Sequence, residues 1–300
     1  MNQYSTISVN SFFAHIFRCT LICLCGLWGI PSEAAVTKLY GVTVSNPWNQ
    51  LPAIITSLKN LAKKPTTRIV FDEKVPASEY KNIVSQIHKV SGTMGELVDS
   101  SSMKQYSLAQ YLSRTKQYLN TLKGNIDIWE IGNEINGEWL GSTSSVVAKM
   151  TGAYDLVKQQ EGKAALTLYY NQGCYGKADH ELFAWAKKNI PPRMKQGLDY
   201  VFISYYEDDC NNLEPDWPAV FNKLGALFPN SKIGFGECGT INKNFKEAYI
   251  YNYYTMQITH PRYVLGGFWW YFDASQSGGP GDMVPWKNHL WSVLNAAIQD

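Results

Sequence analysis

From residue 36 onward two textures alternate along the chain. Short runs rich in β-branched and aromatic residues recur, each followed by a longer stretch whose apolar positions fall three and four apart. The runs are KLYGVTV (38–44), RIVFD (68–72), GELVD (95–99), IDIWEIG (126–132), ALTLYY (165–170), YVFISYY (200–206), KIGFGE (232–237) and GFWWYF (267–272). Their length and composition predict strands, and the intervening periodicity predicts amphipathic helices. The clearest helix spans 107–122, where Leu108, Tyr111, Leu112, Tyr118, Leu119 and Leu122 form one apolar stripe. Others are expected over about 243–257 and 288–299.

Strands alternating with helices imply parallel strands joined by right-handed crossovers. Eight such units in about 265 residues fit an α/β fold of one kind, a single (β/α)₈ TIM barrel, better than an open doubly wound sheet. No linker, repeat or low-complexity tract divides residues 36–300, which reads as one domain.

The first 35 residues differ from the rest. Arg18 precedes a short apolar run (19–30), and small residues follow at Ser32 and Ala34. This is the layout of a secretory signal peptide cleaved after Ala34 or Ala35, with an uncleaved anchor as the alternative. The run is short for a membrane span, and no second apolar stretch of spanning length follows. A secreted or periplasmic protein is expected, with no stable membrane span after cleavage.

Composition narrows the function by exclusion. The 300 residues carry a formal net charge of only +2 without a basic stripe or an acidic block, so no nucleic-acid partner is expected. Aromatics reach 14%, which serves either a dense core or stacking platforms for a ring-shaped ligand. Beyond the leader remain Cys174, Cys210 and Cys238, so at most one intramolecular disulfide forms; Cys174 and Cys210, both in loop-like stretches, are the candidates. Cys238 reads as a small buried residue. His88, His180, His260 and His289 stand at no strand end, so no metal site and no cofactor are expected. GFGECG (234–239) spells G-x-G-x-x-G, but Glu237 inside it would repel a pyrophosphate.

In a barrel of this kind chemistry sits at the C-terminal strand ends, and here those ends are polar: Asp72, Asp99, Asn133-Glu134, Asn171-Gln172, Tyr205-Tyr206, Glu237 and Asp273. Strands four and seven lie roughly opposite on the ring, so Glu134 and Glu237 are placed to face each other across a mouth. Two carboxyl groups roughly 5–5.5 Å apart are what a retaining glycosidase uses, one attacking the anomeric carbon and the other acting as acid and then base. Glu130, inside strand four, is the competing carboxylate and reads as a deeper barrel residue. A polysaccharide or oligosaccharide is the expected partner.

These residues resemble clan A of the glycoside hydrolases, retaining (β/α)₈ enzymes. GNE (132–134) is similar to the strand-four motif, GFGE (234–237) to that of strand seven, SYY (204–206) to that of strand six and FWWYF (268–272) to that of strand eight. The resemblance implies Glu134 as acid/base and Glu237 as nucleophile. It implies that Asn133 contacts a sugar 2-hydroxyl and the nucleophile, and that Tyr206, with Tyr205 as the alternative, bonds the nucleophile. Arg68 stands beside the nucleophile in that comparison, and Trp269, chosen over Trp270, floors the sugar subsite. Trp48 is a further candidate sugar contact. IGNEINGEWLG also faintly resembles arabinogalactan endo-galactanases, whose Pro after the strand-six tyrosines is Glu207 here. A non-catalytic carbohydrate-binding barrel and a lyase with a Glu base are the competing readings.

Overall fold

The computed structural model describes residues 37–276 and 278–299; the leader assigned to residues 1–35 lies outside them. The remainder, Val36–Asp300, is one compact unit. Its strands are β1 (Leu39–Val44), β2 (Thr66–Val70), β3 (Gly92–Glu96), β4 (Ile128–Glu130), β5 (Ala164–Tyr169), β6 (Tyr200–Tyr205), β7 (Lys232–Cys238) and β8 (Leu265–Trp269). They pair in parallel, in sequence order, and β8 pairs with β1 to close the barrel. The helices among the described residues are α1 (Leu51–Lys59), α2 (Lys81–His88), α3 (Leu108–Thr121), α4 (Thr143–Gln159), α5 (Leu182–Asn189), α6 (Pro192–Gly197), α7 (Trp217–Leu227), α8 (Lys246–Thr255) and α9 (His289–Ala297). The single (β/α)₈ barrel expected from the alternation is the fold.

The strand alternation produces two separate apolar layers. Outward residues such as Ile69, Leu166, Ile203 and Phe235 pack with the helices in one large cluster. Inward residues Met94, Ile128, Ala165, Tyr200, Phe202, Val264 and Phe268 fill the barrel toward its N-terminal end. One inward step further along, Glu96 pairs in register with Glu130 where Met94 had paired with Ile128. The barrel interior therefore changes from apolar to charged in the direction of the mouth.

Several boundaries differ from the expectation. β3 is GTMGE and ends at Glu96, so Asp99 lies beyond it and caps a 3₁₀ turn, Ser100–Gln105, by accepting from the Ser101 amide. A Gly- and Thr-containing start hid this strand, whose packing comes from its neighbours rather than from β-branched bulk. β4 is only three residues long. Asn136 extends its role: its side chain accepts from the Tyr169 amide at 2.7 Å and donates to the Tyr169 carbonyl at 2.8 Å, satisfying the edge that β4 leaves free.

Helix α3 begins with a capping box between Ser107 and Gln110. Leu108, assigned to its apolar stripe, is instead 43% exposed. Arg114 takes the buried face. Its guanidinium donates to the carbonyls of Leu97 (2.7 Å), Val75 (3.1 Å), Phe71 (2.9 Å) and Asp72 (2.9 Å). One buried cation thus ties α3 to the segments leaving β2 and β3. Cys174 and Cys210 form a disulfide, with Cα atoms 5.2 Å apart, linking the loops after β5 and β6. Cys238 is free and buried.

Candidate active site

Strand β6 delivers two polar groups by simple alternation. Tyr200 and Phe202 point inward, so Ser204 and Tyr206 do as well, while Tyr205 faces the helices. The Tyr206 hydroxyl donates to Glu237 Oε1 at 2.7 Å, and Ser204 Oγ donates to Glu134 Oε1 at 2.7 Å.

Strand β7 does not follow simple alternation. Ile233 and Phe235 pack outward, so strict period two would send Glu237 outward too. The register against β6 shifts between Ile203–Phe235 and Ser204–Glu237, inserting one extra residue at Gly236. This bulge turns Glu237 into the barrel. Gly236 lies inside, where an added Cβ would stand 2.6 Å from Phe202 Cβ and 2.9 Å from Thr167 Oγ1. Only a residue without a side chain fits there.

Arg68, fully buried on β2, holds three carboxylates. Its guanidinium lies 2.9 Å from Glu237, 2.7 Å from Glu130 and 3.1 Å from Glu96. Glu130 also accepts from Thr167 Oγ1, which places it below the mouth, as its strand position suggested. A single cation cannot neutralise three buried charges, and burial pushes Glu96 well above the usual carboxylate range despite the pull of Arg68.

Glu237 thus receives a cation at 2.9 Å, a phenol at 2.7 Å, and the Asn133 amide at 3.5 Å. Burial, reinforced by the Tyr206 phenol's neighbouring Glu237 charge, keeps that phenol protonated and donating. Burial pushes Glu237 itself up to about 8, with Arg68 opposing and the charge on Glu134 adding.

Glu134 sits differently. It follows β4 with a φ of 49°, in the left-handed region that a side chain of this size rarely adopts. Its carboxyl accepts from Ser204 Oγ and from Ser100 Oγ, each at 2.7 Å. Burial raises its pKa, and the two serine hydrogen bonds offset this only in part. Burial raises both carboxyls, and the charge on Glu134 raises Glu237 further, so the two titrate together and hold a proton above the usual carboxylate range. The partners decide where it rests. Serine hydroxyls can turn and accept, whereas a guanidinium can only donate. These partners favour a proton on Glu134 and a charge on Glu237.

The remaining candidates divide. Trp269 is fully buried in the outer layer, with Nε1 donating to Asp282 at 2.9 Å. Phe268 fills the barrel interior, so Trp269 points out and Trp270 points in, with Arg68 Cζ 5.6 Å from its ring centre. The tryptophan at the site is Trp270, correcting the choice of Trp269. Tyr205 likewise packs outward against Tyr170 and Trp217, its hydroxyl on the Leu213 carbonyl. Trp48 stands on the loop after β1, 40% exposed, with Nε1 donating to Asp72 at 2.7 Å. Asn171 and Asp273 serve the scaffold: Asn171 bonds the Leu182 amide and the His180 carbonyl, and Asp273 accepts from the Ser45 and Asn46 amides.

Sequence reasoning missed Ser100, Ser204 and Glu96. Ser204 and Glu96 were legible from parity, two residues from Tyr206 and Met94 respectively. Ser100 was not, because a 3₁₀ turn rather than a strand carries it.

No protein-family profile matches the chain, and no curated protein sequence matches it. Solved structures do. Gas2p of Saccharomyces cerevisiae in complex with laminaritriose and laminaritetraose superposes with a TM-score of 0.56 at 13% identity, covering 90% of this chain and 66% of that one. Gas2p in complex with laminaripentaose gives 0.58 at 12%, covering 88% and 65%. An apo β-glucosidase, 1317, gives 0.53 at 13%, covering 82% and 86%. The chain spans just under two thirds of the length of the Gas2p chains it matches. At such identity the likeness is one of fold: a (β/α)₈ barrel shared with these proteins.

Proposed function

We propose that this protein is a retaining glycosidase that cleaves a β-linked glycan by double displacement. The observation that carries the reading is the unequal treatment of two buried carboxyls at one barrel mouth. Glu237 is held by a guanidinium, a phenol and an amide; among the described residues Glu134 is held by two hydroxyls. That division suits a charged nucleophile and a protonated acid.

In this mechanism Glu134 gives its proton to the glycosidic oxygen while Glu237 Oε attacks the anomeric carbon. The leaving sugar departs with that proton, and a glycosyl ester forms on Glu237. Glu134, now ionised, takes a proton from water, whose oxygen displaces Glu237 and releases the product with its original configuration. Arg68 and Tyr206 orient the nucleophile and stabilise its returning charge. Asn133 Oδ1 is buried without a hydrogen-bond partner among the described residues, a ready acceptor for a sugar hydroxyl. Trp270 and Trp48 supply aromatic faces near and at the rim of the mouth.

The Gas2p complexes hold laminari-oligosaccharides, which makes β-glucans the first substrates to try. The disulfide between Cys174 and Cys210 supports an oxidising compartment, and with the leader at residues 1–35 the protein is assigned to the secreted or periplasmic fraction. The test is a screen of β-glucan, β-galactan, β-xylan and β-mannan by reducing-end release, with product configuration followed by NMR. Release of a product with retained configuration is expected. Inversion, or no release from any polysaccharide, would contradict the proposal.

A further inference from the structure

The loop after β4 carries Trp139, five residues beyond Glu134, with its indole 39% exposed and its neighbour Leu140 fully buried. Three contacts hold the ring. Its Nε1 donates to Ser100 Oγ at 3.2 Å. Its edge-to-face partner is Tyr169, with ring centres 5.5 Å apart. Its six-membered ring lies so close to Gly137 that an added Cβ there would come within 2.6 Å of Cζ2. An indole fixed on three sides while leaving much of its surface in water is a preorganised apolar face: binding on it costs little side-chain entropy.

The position of this face identifies its occupant. Ser100, which takes the indole N–H, is the residue that donates to Glu134 Oε2 at 2.7 Å. The indole is therefore anchored one hydroxyl away from the acid. A general acid protonates the bridging oxygen, so the sugar beyond that oxygen lies on the acid's side of the site. Trp270, above Arg68, stands on the nucleophile's side instead.

The geometry points to Trp139 as the stacking platform for the leaving-group half of a glycan, so that the enzyme acts on sugar–sugar bonds within an oligosaccharide. This rests on the glycosidase reading above. Ser100 then acts as a positioning residue between platform and acid.

The test compares two leaving groups. Wild type, Trp139→Ala and Trp139→Phe are assayed on β-linked pentasaccharides of glucose, galactose, xylose and mannose, and on the matching dinitrophenyl glycosides, using the sugar cleaved best by wild type. Trp139→Ala is expected to lower kcat/KM for the pentasaccharide about tenfold more than for the dinitrophenyl glycoside, the scale of one lost aromatic contact. Trp139→Phe should recover part of that difference, because it keeps a ring. If Trp139→Ala does not fold, Trp139→Leu is read in its place. Equal losses on both substrates, or none, would make the ring a scaffold element and overturn the inference. A wild type inert on every member would instead defeat the glycosidase reading beneath it.

Discussion

At the residue scale the proposed mechanism gives two glutamates different tasks, so their variants should fail differently. Glu237→Ala removes the nucleophile and should abolish turnover of every substrate; azide should restore some, with inverted product. Glu134→Ala should lower polysaccharide turnover about 10²–10⁴-fold, the usual share of general acid catalysis. On dinitrophenyl glycosides it should give a burst, since departure needs no proton while deglycosylation needs the base. Equal losses on all substrates, with neither burst nor rescue, would refute this division. The pH dependence follows from the shared proton. Activity requires Glu134 protonated and Glu237 ionised, so kcat/KM should fall on the alkaline side as Glu134 loses its proton, above the usual carboxylate range because burial raises it. Ser100 donates to Glu134 and lowers its pKa; Ser100→Ala removes that donor, so Glu134 holds its proton longer and the alkaline limb should move up. Ser100→Thr should bring it back. A limb unmoved in Ser100→Ala would show that the hydroxyl does not act on the acid. Tyr206 and Arg68 follow the inward parity of their strands, whereas Glu237 does not; it was picked out, with Glu134 and Asn133, as a polar residue at a strand end rather than by alternation. Trp269 was misassigned for want of one fact, that Phe268 occupies the interior and sets the parity of its successors.

At the scale of elements, the short apolar runs marked the strands in order, but their ends were less secure, and the third run overlaps β3 only at Gly95 and Glu96. A three-residue strand such as β4 owes its place to neighbours and to the Asn136 side chain, which no periodicity encodes. The bulge in β7 was equally hidden: a glycine between an outward Phe235 and Glu237 does not announce a register shift. Its importance is measurable. Gly236→Ala forces a Cβ against Phe202 and Thr167 and should destabilise the protein by about 1–3 kcal/mol in urea unfolding. It should also depress kcat by displacing Glu237. Wild-type kcat together with wild-type stability would contradict the bulge as the device that aims the nucleophile. Arg114 offers a second test. Arg114→Ala leaves four backbone carbonyls without their donor, and a loss of about 2–4 kcal/mol is expected from the same measurement.

At the scale of the whole molecule, the barrel closes so that apolar layers hold its N-terminal end and charged groups crowd its mouth. The Cys174–Cys210 bond, 36 residues apart in sequence, ties two mouth loops on the β5–β6 side. Replacing both cysteines by serine should cost about 2–4 kcal/mol of stability, read by thermal unfolding. The fold class was legible because eight alternating units leave few alternatives, whereas the charge arrangement around Arg68 emerges only on closure, when β2, β3, β4 and β7 meet. That arrangement underlies the proposed role of Glu237 as nucleophile, which covalent trapping would reveal. The enzyme is incubated with activated 2-deoxy-2-fluoro glycosides of glucose, galactose, xylose and mannose, and the labelled peptide is identified by mass spectrometry. One fluorosugar attached to Glu237 is the predicted result; a label on another residue, or an unlabelled enzyme that still hydrolyses the parent glycan, would contradict it.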